Sequence, residues 1–146
     1  MQICKADAAD APRLHEVWEA AVRATHAFLS ENAIQQLSPL VREILATFAP
    51  LYSVRDGDGA PYGFLGVADG NIEMLFVHPD FHGRGAGRAL ADFAINTLGA
   101  TRVDVNEQNP GACGFYRHLG FIQSGRSELD GQGNPFPILH LELAAR

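Results

Sequence analysis

The sequence predicts an α/β sandwich, a mixed and mostly antiparallel central sheet with helices on both faces. Three observations lead there. Apolar residues recur at helical spacing in two early stretches, Leu14 to Val22 and Leu40 to Phe48. Short strand-like runs follow, separated by turn signals such as Asp56-Gly57-Asp58-Gly59 and Asp69-Gly70. A glycine-rich loop then joins a strand to a helix at Gly83 to Gly87. A chain of 146 residues is the size of one domain with one sizeable core, so residues 1–146 are read as a single domain.

Gln2 to Lys5 is a short candidate strand. Asp10 precedes Pro12 and is read as the cap of a first helix, because proline is tolerated in a helix's first turn. Leu14, Val17, Trp18, Ala21 and Val22 give that helix one apolar face, with Trp18 as a core anchor. Ser30 caps a second helix, and Ser38-Pro39 reads as a restart with proline in the first helical position. Its apolar stripe is Leu40, Val41, Ile44, Leu45 and Phe48. Pro50 ends the helical region.

Strands are expected at Leu51 to Arg55, Tyr62 to Ala68 and Asn71 to Val77, forming an antiparallel meander, with Asp69-Gly70 as a hairpin turn. A helix from Ala86 to Leu98, a strand at Arg102 to Asn106 and a short helix from Pro110 to Leu119 come next. Phe121 to Ser127 and Phe136 to Leu143 are the last two strands.

The net charge of −6 argues against nucleic acid as a partner, which would favour a basic face. It is compatible with a cationic amine. Cys4 and Cys113 suggest neither a disulfide framework nor a metal site. No signal peptide or membrane-length apolar run is visible, so the chain is read as cytoplasmic and not membrane-bound.

The stretch from Val77 to Leu90 carries the functional signal. Glycine permits close approach of a ligand to the backbone, and a helix N-terminus presents free N–H groups and partial positive charge. Strand, glycine loop and helix start together make an anion-binding device suited to phosphate. A dinucleotide fingerprint needs G-x-G-x-x-G, but Arg88 or Leu90 occupies the last position. A nucleoside-triphosphate loop needs Gly-Lys-Ser/Thr, and the chain reads Gly87-Arg88-Ala89.

The run Val77-His78-Pro79 through Gly83, Gly85 and Gly87 instead resembles the pyrophosphate loop of the GCN5-related N-acetyltransferases. A second segment, Asn109 to Phe121, resembles that family's N-x-x-A-x-x-F-Y-x-x-x-G-F pattern at every fixed position. The resemblance covers residues 71 to 127 closely and the remainder loosely. His82 departs from it, since the family usually carries Gln or Arg there.

The resemblance implies acetyl transfer from acetyl-coenzyme A to a primary amine, by direct attack within a ternary complex. It implies that Gly83, Arg84, Gly85, Ala86, Gly87 and Arg88 hold the diphosphate. Arg84 and Arg88 can add charge, although either also reads as a solvated surface arginine, and for Arg84 the two readings weigh equally. Leu75, Phe76 and Val77 are implied to pair through their backbone with the pantetheine arm, and Asn109 to hydrogen-bond it. The first two helices are implied to wall the acceptor site, and a homodimer is open, as small members often pair.

Tyr116 is the candidate general acid, because a phenol is protonated at neutral pH and can donate to a departing thiolate. Two groups compete to accept the amine's proton. Glu73 lies on the strand entering the loop, and strict alternation puts it on one face with Asn71, Leu75 and Val77. His26 lies between the first two helices, and imidazole titrates in the useful range. His78 and His82 flank the loop, and His140 has no argued role. Cys113 has no evident base beside it, which disfavours an acetyl-enzyme. The alternative is a sensor domain that binds acyl-coenzyme A without turnover.

Overall fold

The computed structural model describes residues 1–144. They form seven strands in one sheet and four α-helices. The strands are β1 (Ile3–Lys5), β2 (Tyr52–Arg55), β3 (Pro61–Ala68), β4 (Asn71–Val77), β5 (Arg102–Asn106), β6 (Phe121–Ser127) and β7 (Ile138–Leu143). The helices are α1 (Ala11–Thr25), α2 (Glu31–Thr47), α3 (Ala86–Asn96) and α4 (Pro110–His118).

The sheet order is β1-β2-β3-β4-β5-β7-β6. The first four strands form the expected antiparallel meander, and β5, β7 and β6 form a second antiparallel unit. A parallel pair needs a crossover. Helix α3 supplies it between β4 and β5, whose pairing comprises Asn71 with Arg102 and Ile72 with Val103.

The sheet separates two apolar cores. Alternation is plain at Phe64 and Leu65, both fully buried: Phe64 packs with α1 and α2, while Leu65 packs with α3 and α4. The α1 face is the expected one, with Leu14, Val17, Trp18, Ala21 and Val22 all buried.

Three local readings are corrected. Asp10 holds the N-cap position of α1 with Pro12 in the first turn, but its side chain makes no capping hydrogen bond there. A 3₁₀ turn at Ala8–Asp10 precedes α1, and Asp7 and Asp10 form a capping box around it. Asp10 also pairs with Arg55 at 2.5 Å, and this guanidinium holds its carboxyl below the usual value. No restart occurs at Ser38. Helix α2 runs through Pro39 from its Ser30 cap. Ser38 Oγ instead meets His15 Nε2 at 2.9 Å, tying α2 to α1. Proline deprives the Gln35 carbonyl of its helical donor, but Gln35 is exposed and water can serve it. The core-facing stripe of α2 is consequently Ile34, Leu37, Val41 and Leu45, with Ile34 and Leu45 buried and Phe48 packing just past the helix end, and Leu40 and Ile44 stay exposed.

The third correction concerns β4. Gly66 pairs with Met74 but Val67 pairs with Ile72, so Glu73 is the extra residue of a β-bulge. The bulge breaks strict alternation. Ile72, Leu75 and Val77 face the α3–α4 core, while Met74 and Phe76 face the α1–α2 core. Glu73 therefore does not share a face with Leu75 and Val77 in the simple way alternation predicts.

Candidate active site

Beyond the rung between Ile72 and Val103, β4 and β5 diverge. A cleft of about 650 Å³ opens between them, within the usual size of a ligand pocket. Its walls include Leu75, Phe76 and Val77 of β4 and Val103, Asp104, Val105 and Asn106 of β5. Backbone that would have paired strand to strand is left for a ligand running along β4, which is how an added strand binds.

The glycine loop closes one end of the cleft with Gly83, Gly85, Ala86, Gly87 and Arg88. Its glycines have different reasons. Gly83 and Gly85 have φ of +78° and +84°, a region where side chains are strained, and Gly85 is the residue from which α3 starts. Gly87 is helical, and a Cβ there would meet only ordinary contacts, Phe115 at 3.7 Å and Val77 at 4.0 Å. The fold does not need glycine at 87. The amides of Ala86, Gly87 and Arg88 form the first turn and have no partner within the helix. Ala89 is the residue whose N–H returns to the Gly85 carbonyl.

Arg84 lies outside the cleft lining, with its guanidinium 5.0 Å from the centre of the Phe81 ring. Arg88 borders the cleft and pairs with Asp92 one turn on. His82 donates from Nε2 to the Val77 carbonyl at 2.9 Å, so the residue that departs from the family pattern ties the two ends of the loop together. His78 caps the 3₁₀ turn at Pro79–Phe81 by accepting from the Asp80 N–H.

Helix α4 supplies the opposite wall. Asn109 caps it, accepting the Ala112 N–H at 3.2 Å, and is buried at the cleft. Its side-chain NH₂ remains to donate. Tyr116 is 6% exposed, wedged edge-on against Phe115 and Phe121, and borders the cleft. Burial pushes its phenol well above the ordinary value, so it holds its proton throughout the physiological range. Cys113, three residues earlier, is buried and absent from the lining. Burial raises its thiol too, which removes the thiolate an acetyl-enzyme requires.

His26 and Glu73 both border the cleft. His26 caps the end of α1, and burial lowers its pKa, so it is neutral at pH 7. Thr25 Oγ1 donates to the Ala21 carbonyl and must accept from His26 Nδ1–H at 2.8 Å. That fixes the tautomer and leaves Nε2 with the lone pair. Glu73 is exposed on its bulge, at the fork of the cleft. Sequence reasoning missed Asp104, which also borders the cleft. The pattern Val103-Asp104-Val105 marked a half-buried strand, but nothing in it showed that the β4–β5 ladder stops one residue earlier.

The chain matches the family model described as an acetyltransferase (GNAT) domain over residues 49–123. It is 38% identical, over 88% of each chain, to the peptidyl-lysine N-acetyltransferase YjaB of Salmonella typhimurium. The chain belongs to the GCN5-related N-acetyltransferase family. Its identity to the protein of the same name from Escherichia coli is 40%, covering 86% of this chain and 84% of that one. The solution structure of apo-form Escherichia coli YjaB superposes with a TM-score of 0.91, at 36% identity over 99% of this chain and 98% of that chain. The fold also matches the PaiA N-acetyltransferase of Thermoplasma acidophilum solved with coenzyme A, at a TM-score of 0.76 and 20% identity over 98% of both chains.

Family membership and the names of these relatives make this chain an acetyl-coenzyme A-dependent N-acetyltransferase. They favour catalysis over the sensor reading. Among the described residues no helix is long and apolar enough to cross a membrane, and no cluster of three or more His, Cys, Asp or Glu could hold a metal.

Proposed function

We propose that the acceptor is the ε-amine of a lysine in a peptide or protein, which attacks the acetyl carbonyl of acetyl-coenzyme A directly within a ternary complex. The observation that carries this reading is the groove beside the cleft. It holds about 380 Å³ and is lined by Asp69, Glu73, Asp104 and Glu142, against the single cation Arg102. Glu73 and Asp104 also line the cleft, so a cationic side chain entering the groove would reach the fork. The relatives named peptidyl-lysine N-acetyltransferases support the same acceptor.

In this reading the amides of Gly83 to Arg88 bind the diphosphate, with charge from Arg88 more than from Arg84. The backbone of Leu75 to Val77 and the Asn109 amide hold the pantetheine. Glu73 takes a proton from the ammonium, with His26 Nε2 as the rival acceptor on the facing wall. The free amine attacks the acetyl carbonyl, the C–S bond breaks, and Tyr116 protonates the thiolate. Residues 1–146 act as one catalytic domain, and the cytoplasm is where the reaction is placed.

An acceptor screen with mass detection tests this. Lysine peptides, blocked and free N-termini, polyamines and amino acids are offered with several acyl-coenzyme A donors. Acetylation confined to lysine side chains supports the reading, and acetylation of polyamines or N-termini alone refutes it.

A further inference from the structure

On the sheet face left open beside α1, three side chains from three strands form a continuous chain. His140 Nδ1 on β7 lies 2.6 Å from Asp104 Oδ1 on β5. His140 Nε2 lies 2.7 Å from Ser127 Oγ on β6. The register explains the meeting, because Asp104 stands directly opposite His140 and β6 flanks β7 on its other side. A carboxylate beside Nδ1 fixes the proton on that nitrogen, so the Ser127 hydroxyl donates to Nε2.

Glu73 and Asp104 are the first residues past the last β4–β5 rung, one on each strand. Both line the cleft and the acidic groove. They differ in constraint. Glu73 sits on a bulge and has no hydrogen-bond partner among the described residues. Asp104 is pinned through one oxygen, which leaves its other oxygen for a ligand. A carboxylate already held in place loses less freedom on binding than a mobile one.

We propose that Asp104 is the anchor for the acceptor's ammonium, and that His140 and Ser127 are positioning residues that hold it. Glu73, free to swing and exchange with water, accepts the proton. Asp104 keeps its hydrogen bond to the nitrogen before and after that transfer. The division rests on the lysine-acceptor reading above. The other charges facing the chain are Asp69, Arg102 and Glu142, and Arg102 is itself committed to the Asp69 backbone carbonyl.

The test separates KM from kcat. With a lysine peptide, Asp104→Asn should raise the acceptor KM about 10- to 100-fold, the loss of one charged hydrogen bond. Acetyl-coenzyme A affinity should stay within about twofold, which also certifies the fold. His140→Ala should raise the same KM about tenfold. His140→Asn restores a donor to Asp104 and should recover most of the loss, which a merely structural histidine would not show. An aminooxy analogue of the lysine side chain, neutral at pH 7, should compete equally well against the parent and Asp104→Asn.

An unchanged acceptor KM in Asp104→Asn overturns the proposal. So does a loss confined to kcat, or one as large for the neutral analogue. If the parent acetylates another amine and no lysine, the lysine reading fails by itself. The same variants measured on that amine then decide the anchor.

Discussion

Gly87→Ala should make the protein more stable and a worse binder of coenzyme A. Residue 87 lies in the first turn of α3 with helical geometry, so alanine removes glycine's excess unfolded-state freedom, about 0.5–1 kcal/mol. Its Cβ would meet Phe115 at 3.7 Å and Val77 at 4.0 Å, contacts that need no rearrangement. For a chain of this length the gain corresponds to a melting temperature higher by about 1–4 °C. The same methyl would stand between the diphosphate proposed to bind there and the free amides of the turn. Loss of one charged hydrogen bond there would weaken binding by about tenfold or more. Gly85→Ala is the control. Nothing crowds its Cβ, but φ is +84°, so alanine should cost about 1–2 kcal/mol of stability. Calorimetric melting and titration with coenzyme A on both variants check this. The reasoning fails if Gly87→Ala destabilises the protein, or if it binds coenzyme A as tightly as the parent.

Tyr116→Phe should lower kcat by about 10²–10⁴-fold with acetyl-coenzyme A affinity nearly intact, and an acyl donor with a more acidic thiol should recover part of the rate in stopped assays. Glu73→Gln should reduce kcat at neutral pH more than His26→Ala does; the reverse order in steady-state kinetics would move the base to His26. Burial lowers the His26 pKa, so the unfolded chain binds the extra proton. The stability that neutral His26 contributes is complete above about pH 6.5 and is lost as pH falls through the folded-state value. Melting curves of His26→Gln should therefore fall less steeply below that pH than the parent's. Phe64→Ala, at a fully buried site in the α1–α2 core, should cost about 3–5 kcal/mol in denaturant unfolding.

Most of the architecture was legible because the cues were local. The buried face of α1, the bounds of β4, β5 and β6, and the junction of loop and α3 all follow from periodicity, glycine and turn residues within a few positions. Local cues failed where a distant partner decided the outcome. Ser38 looks like a cap until His15, 23 residues earlier, takes its hydroxyl. Asp10 looks like a cap until Arg55 and Asp7 claim its carboxylate.

The site followed the same rule. The loop and the Asn109–Phe121 segment are continuous in sequence, so the stretches that border the cleft there could be read from it. The early end of the β4–β5 ladder and the Asp104–His140 contact depend on strand pairing across 30 or more residues, and the β4 bulge at Glu73 is a register shift inside the β3–β4 hairpin that alternation does not announce. Arg84 was placed by proximity to glycines, and the ring of Phe81 drew it elsewhere.

The central claim is that the forked cleft both holds acetyl-coenzyme A and uses Tyr116 to transfer its acetyl group to a lysine amine. The most direct measurement is single-turnover transfer from acetyl-coenzyme A to a lysine peptide, following acetyl-lysine by mass and free thiol together, in the parent and in Tyr116→Phe at saturating donor. The account predicts equal yields of acetyl-lysine and thiol in the parent. In Tyr116→Phe it predicts a rate lower by about 10²-fold or more despite full donor binding. Parental rates in Tyr116→Phe would contradict it, as would a parent that binds acetyl-coenzyme A and leaves every amine unmodified.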